Sequence, residues 1–240
     1  MPSNPFLDRL CVVLVSARNP LNIGAAARAM TNFGFSRLRV VKPYDVAFRN
    51  AKSGVRASGV LRQAEEFPTV ADAVSDCALV LGTTAAQGRQ LEHRLRTVQQ
   101  ASALIRRRMS SGRIALLFGS EKRGLSNEDF SHCDWLIRIP TGAKQPSMNL
   151  GQAVAVCLYE ISRGKSMPLR KERQSAPDAA NLERLVGLLH ESLLVSEYAR
   201  EGSGKEIVRR LVRRLELPSA DAHLLQGMLR QMLWKMRHRG

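Results

Sequence analysis

The chain is poor in cysteine, aromatic residues, acidic charge and long apolar runs, and each shortage closes off a class of protein. Its four cysteines, Cys11, Cys77, Cys133 and Cys157, are scattered and form no CxxC pair. That argues against a disulfide frame or a zinc site and for a reduced, cytosolic protein. Aromatics make up 5% of residues, too few to advertise a stacking platform for single-stranded bases. No apolar run approaches the roughly 20 residues of a membrane-spanning helix. The opening MPSNPFLDRL lacks a basic stretch followed by an apolar one, so no secretory signal is expected. His93, His132, His190, His223 and His238 form no ligand cluster in the sequence, and no metal is expected.

What abounds is positive charge. Against 21 Asp and Glu stand 37 Lys and Arg, a net charge of +16 over 240 residues. Such an excess is the footprint of a protein that meets a polyanion, most often nucleic acid. A diffusely basic enzyme carries the same number, so the charge names a class of partner and no chemistry. The apolar fraction of 44% is ordinary for a globular protein of one or two domains with a substantial core.

Short β-branched runs alternate with helical patterns. RLCVVLV (9–15), RLRVV (37–41), CALVLG (77–82), RIALLFG (113–119) and DWLIRIP (134–140) read as strands, and their continuous apolarity suits strands covered on both faces. Helices are expected over 22–33, 70–75, 98–109 and 149–162. This alternation predicts an α/β domain with a mostly parallel sheet, whose ligands bind beyond the carboxyl ends of the strands. Composition then shifts. A polar, basic, proline-containing stretch over 164–180 reads as a linker between a domain at 1–163 and a small all-α extension at 181–240. Amphipathic patterns place helices over 181–198, 204–215 and 219–237. The parts before and after the start of this linker carry about +10 and +6 respectively, so the polyanion surface is expected to span both.

Three segments could carry chemistry. In LLFGSEKRGLS a strand runs into G-x-x-x-x-G, but Gly124 is followed by Leu125 and Ser126 rather than Lys and Ser or Thr, which excludes a phosphate-binding P-loop. What remains is a turn at Gly119 and Gly124 enclosing Glu121, and a plain strand-to-helix turn would explain it equally well. In IPTGAKQPSMNLGQAVAV the loop residues Pro140, Gly142 and Pro146 precede a helix that Ser147 or Asn149 could cap. In SARNPLNIGAAARAMTNFG, Asn22 is placed to cap a helix of small residues that carries Arg28.

Together, NPLNIGAAARAMTNFG, LLFGSEKRGLS and IPTGAKQPSMNLGQAVAVCLYE resemble, in order and spacing, the three motifs of the 2′-O-ribose RNA methyltransferases of the SPOUT superfamily. The resemblance covers about residues 10–162. The appended helices, with LERLVGLLHESLL and HLLQGMLRQMLW, look most like those of the bacterial enzymes that methylate the ribose of tRNA residue 32 in the anticodon loop. The resemblance implies a trefoil-knotted sheet flanked by helices, a homodimer with active sites at the subunit interface, tRNA as partner and S-adenosylmethionine as cofactor. It implies cofactor contacts from Thr83, Thr84, Ala85, Gly119, Ile139, Pro146, Ser147, Met148 and Leu150. It implies a catalytic set of Asn22, Arg28, Glu121, Ser147 and Asn149.

The family mechanism makes the arginine at position 28 the base. A guanidinium stays protonated at neutral pH, so a bidentate grip on the neighbouring phosphate is the better physical expectation for Arg28. Ser147 and Asn149 would place the hydroxyl, and Asn22 would hold the loop. The basic segment QGRQLEHRLR (87–96) is expected to touch RNA. Methylation of ribosomal RNA, or RNA binding without catalysis, are the alternatives.

Overall fold

The structure, a computed structural model, describes residues 6–43, 45–53, 59–85, 94–163, 177–199 and 204–238. Seven strands form one parallel sheet: β1 (Leu10–Val15), β2 (Arg37–Val41), β3 (Glu65–Phe67), β4 (Cys77–Thr83), β5 (Leu95–Thr97), β6 (Arg113–Phe118) and β7 (Trp135–Arg138), in the order β3-β2-β1-β6-β4-β7-β5. Every pairing is parallel. Ten helices of the described residues surround it: α1 (Pro20–Asn32), α2 (Asp45–Ser53), α3 (Gly59–Arg62), α4 (Val70–Val74), α5 (Val98–Met109), α6 (Asn127–Ser131), α7 (Leu150–Ser162), α8 (Ala179–Val195), α9 (Lys205–Arg214) and α10 (Ser219–Arg237).

The continuous apolar runs are strands buried on both faces. Leu10, Val12 and Leu14 of β1 join Ile114, Leu116 and Phe118 of β6 in a core shared with α1, α5 and α7. Their alternates Val13, Val15, Ala115 and Leu117 pack on the other face with α4, Phe130 of α6 and Ala179 of α8. This is the period of two expected of a strand. The result is a sheet with helices on both sides.

On the first face α1 and α7 lie close together. A Cβ built on Gly151 would stand 2.6 Å from the Cβ of Ala25, so only a residue without a side chain fits that crossing.

The structure adjusts several local expectations. Helix α1 starts at Pro20 and is capped by Asn19, whose side chain accepts from Leu21 N–H at 2.9 Å; Pro20 takes the first helical position, where its missing N–H costs nothing. Asn22 is therefore within the helix and free for another task. Leu95 and Arg96, expected in an RNA-touching loop, belong to edge strand β5, while residues 86–93 lie outside the described residues. Much of the expected linker, 164–176, also lies outside them.

The helical extension is fastened to the sheet by buried charge. Arg209 on α9 donates to Glu183 on α8 at 2.9 and 3.0 Å, and to Glu128 and Ser131 on α6 at 2.9 and 2.8 Å. Arg213 donates to Asp134 at 3.0 Å, while the other oxygen of Asp134 accepts from Val80 N–H at 2.7 Å. His132 lies among these groups. Burial pushes its pKa down to about 4, and Arg209 and Arg213 reinforce the shift against Glu183 and Glu128. Its 3.5 Å approach to Glu128 is thus a contact of a neutral imidazole at neutral pH.

Candidate active site

The loops at the carboxyl ends of β4, β6 and β7 enclose a cavity of about 370 Å³, within the usual range for small-molecule sites. Thr83, Thr84, Ala85, Gly119, Ile139, Pro146, Ser147, Met148 and Leu150 all line it. So does Glu121. Ile137, Leu125 and Phe130 add apolar wall that the motifs did not single out; Ile137 lies on a legible strand, so its position at a strand end was the available signal.

Each loop is built for this place. Thr83 donates through its hydroxyl to Leu117 O at 2.9 Å, and Thr84 N–H donates to Ile137 O at 3.0 Å, which pins the end of β4 between its neighbours. After β6 the chain folds back on itself: Gly124 N–H donates to Ser120 O at 2.8 Å, and Gly124 holds φ +67°. A Cβ on Gly119 would lie 2.0 Å from the Gly124 carbonyl carbon. Gly119 therefore serves the loop's own closure, because any side chain there collides with backbone. In the loop before α7, the Thr141 hydroxyl donates to Pro146 O at 2.9 Å.

Glu121 organises the rim. Its Oε1 accepts from Asn19 N–H and from the Asn22 amide, both at 3.1 Å, and its Oε2 accepts from Arg18 N–H at 3.2 Å. Partial burial alone would raise its pKa; the donors of Asn22, of its own backbone, of Arg18 and of Asn19 outweigh this and hold it below the ordinary value. The Asn22 carbonyl in turn accepts from the Asn149 amide at 2.8 Å. Asn149 Oδ1 caps α7 by accepting from Gly151 and Gln152 N–H at 2.9 and 3.4 Å. An unbroken chain of hydrogen bonds thus ties the loop after β1, the loop after β6 and the start of α7. Of the two candidates to cap α7, Asn149 does so, and the Ser147 side chain is left exposed on the cavity wall.

Arg28 stands apart. It is six residues beyond Asn22, about 9 Å along the helix and on another face. It is exposed, does not line the cavity, and makes no hydrogen bond or ion pair among the described residues. It shares its face of α1 with Leu21, which is 79% exposed, and with Ala25 against α7.

The cysteines take no part. All four are buried and free, and burial drives the Cys157 thiol up to about 12.

Known proteins share this architecture. The family model described as the SpoU rRNA Methylase family matches residues 9–159. A tRNA (cytidine/uridine/adenosine-2'-O-)-methyltransferase TrmJ of Pseudomonas aeruginosa is 34% identical over 243 residues, covering 95% of this chain and 93% of its own. A tRNA (cytidine-2'-O-)-methyltransferase TrmJ of Methanocaldococcus jannaschii is 33% identical over 91% of this chain and 97% of its own. The crystal structure of TrmJ from Z. mobilis superposes with a TM-score of 0.78 at 33% identity, covering 92% of this chain and 98% of that one. The SpoU methyltransferase AviRb of Streptomyces viridochromogenes, solved with AdoMet, matches with a TM-score of 0.50 at 28% identity, over 65% of this chain and 57% of that one. With the parallel sheet, the three motifs at its carboxyl edge and matches that run nearly end to end, the chain belongs to the SpoU rRNA methylase family.

Proposed function

We propose that the protein transfers a methyl group from S-adenosylmethionine to a ribose 2′-hydroxyl of tRNA, at nucleotide 32 of the anticodon loop, as a cytoplasmic homodimer. The observation that carries this is the convergence of Thr83–Ala85, Gly119, Ile139, Pro146–Met148 and Leu150 on one cavity, beside the Glu121–Asn22–Asn149 chain. The lining fits the cofactor: Ile139, Met148 and Leu150 offer apolar wall for a flat ring, while the loop backbones at 83–85 and 119 and the Ser147 hydroxyl offer polar partners. Bound there, S-adenosylmethionine supplies an electrophilic methyl carbon.

The chain's own residues then place the nucleophile. A ribose hydroxyl attacks well only as its proton departs, here to water, while the bond from the methyl carbon to sulfur breaks. Arg28 grips the adjacent phosphate through both nitrogens of its fork, orients the ribose and favours negative charge on the 2′-oxygen. Ser147 and Asn149 orient the hydroxyl, and Glu121 holds Asn22 and the loop. Arg28 lies off the cavity wall of its own chain and beside the exposed Leu21; this supports a dimer in which it serves the partner's cavity. In this proposal residues 1–163 form the catalytic domain, 164–180 the linker, and 181–240 the helical extension. The loop from β7 to α7 lines one cavity with the loop after β6, and α7 packs against α1 at Gly151 and Ala25; this supports a trefoil-knotted threading.

The test is transfer of labelled methyl from S-adenosylmethionine to bulk tRNA and, separately, to ribosomal RNA, with mapping of the modified nucleoside. A 2′-O-methylated residue 32 in tRNA is expected. Label in ribosomal RNA alone would move the substrate to the one the family description names. Absence of saturable cofactor binding by calorimetry would leave an RNA-binding protein without catalysis. Arg28→Lys separates grip from charge: it should lower single-turnover transfer at least tenfold, because lysine cannot hold phosphate bidentately.

A further inference from the structure

A second cavity of about 730 Å³ lies across the loop after β6 from the first, at the carboxyl ends of β1 and β2. Ser120, Lys122, Arg123 and Gly124 line both cavities, so one loop is their common wall. That wall belongs to the second motif, whereas Lys42, Thr69 and Val70, which also line this cavity, lie outside all three motifs. Its floor includes Ser16 and Lys42, each the residue immediately after a strand, and both hold positive φ, 52° and 44°. Each also extends the sheet by one bond: Ser16 N–H donates to Val41 O at 2.8 Å and Lys42 N–H to Phe67 O at 3.2 Å. A left-handed backbone is costly for residues with a Cβ, and two such residues side by side on a cavity floor mark the kind of strain that clusters at ligand sites.

The cavity's charge is arranged for an anion. Arg18, Lys42 and Lys122 line it, are exposed, and make no side-chain hydrogen bond or ion pair among the described residues. The acidic groups of the far wall are engaged. Asp129 accepts from the N–H and hydroxyl of Ser126, both at 2.8 Å, and Glu128 pairs with Arg209 at 2.9 Å. His132 is neutral there.

We infer that this second cavity seats a nucleotide of the RNA strand that flanks the one being methylated, with its phosphate held by Lys42, Arg18 and Lys122. The inference rests on the methyl transfer proposed above, because the shared loop would set a flanking nucleotide beside the reacting one. Volume and charge suit a nucleotide, and the positions beyond parallel strand ends are where such sheets hold ligands.

The experiment measures tRNA binding at several salt concentrations, S-adenosylmethionine binding by calorimetry, and methyl transfer, for the wild type, Arg18→Ala/Lys42→Ala and Arg184→Ala. Arg18 and Lys42 line only the second cavity, and Arg184 is an exposed arginine on α8 that serves as the control for lost charge. The double variant should weaken tRNA binding about tenfold and flatten the salt dependence by one to two phosphate contacts. Cofactor affinity should stay unchanged, and Arg184→Ala should have a smaller effect. Lys42→Gly guards against misfolding: it relieves the positive φ, so its Tm should equal or exceed that of the wild type while tRNA affinity still falls. Unchanged tRNA affinity and salt slope in the variants would overturn the inference, whatever the activity. A wild type that binds tRNA but transfers no methyl group would overturn the proposed function, with the cavity still decided by the same variants. A wild type that binds no RNA would overturn both.

Discussion

The two ends of the sheet handle charge in opposite ways. Toward the amino ends, Arg39 is buried and closed in: it donates to Asp76 at 2.6 and 2.9 Å and to Ala73 O at 2.8 Å, and stacks over Phe67 at 5.4 Å. Arg113 also donates to Asp76. The Arg39 guanidinium holds the Asp76 carboxyl far below the usual range. One carboxylate there thus takes two guanidinium groups. At the carboxyl ends, Glu121 ties loops rather than cations, three basic side chains stand open, and two cavities share a wall. The lesson is one of division: satisfied charge locks one edge of a parallel sheet, and chemistry is left to the edge where loops, not ladders, set the geometry.

The largest effect is expected of Asp76→Ala. It leaves Arg39, whose side chain is 5% exposed, without its principal partner, and should cost about 3 kcal/mol in stability by urea unfolding. Cofactor binding by the folded fraction should be unchanged; a matching loss of cofactor affinity would show that the two edges are coupled.

Glu121→Gln probes the other edge. The carboxylate accepts three N–H donors, whereas an amide oxygen can serve two of them while its NH₂ opposes the third. A cost of about 2 kcal/mol, expressed as a thirtyfold slower methyl transfer with a smaller change in Tm, is expected. An equal fall of Tm and activity would make Glu121 a stability residue.

Acid gives the smallest and most discriminating difference. Both carboxyls are depressed in the folded state. Each therefore contributes stability that is present above the ordinary carboxylate pKa of about 4 and lost as pH falls through the folded value. Asp76 is held lower than Glu121, so the rim should loosen first. Cofactor affinity should fall as pH drops below the ordinary carboxylate value, before the amino-edge cluster opens. Affinity is the readout to use, because His132, neutral in the fold down to about 4, already withdraws stability of its own as pH falls from about 6.5 to about 4.

Legibility followed the same division. Five strands were readable because β1, β2, β4, β6 and β7 are apolar and covered on both faces. Strands β3 and β5 were not: each is three residues long, at a sheet edge and partly exposed, so Glu65-Glu66-Phe67 and Leu95-Arg96-Thr97 carry no pattern. Helices α2, α3 and α6 went unread, two of them for want of length. The cap of α1 shifted to Asn19 because Asn-Pro and a later asparagine offer two starts, and Pro20 at the first helical position decides between them.

Sequence alone determined the α/β alternation, the basic character and the three motifs, since hydrophobic period and motif spacing are local properties of the chain. Which charges vanish into the interior was decided only by tertiary structure: Arg39, Arg209 and Arg213 are buried, yet along the chain they look like any solvated arginine. The same holds for the link from Glu121 through Asn22 to Asn149, which joins residues about a hundred positions apart. It holds too for Ser16 and Lys42, whose strained backbone no residue type announces. Partners brought together by a sheet crossover leave no trace in sequence order, because the hydrogen bond that selects them exists only after the strands have met.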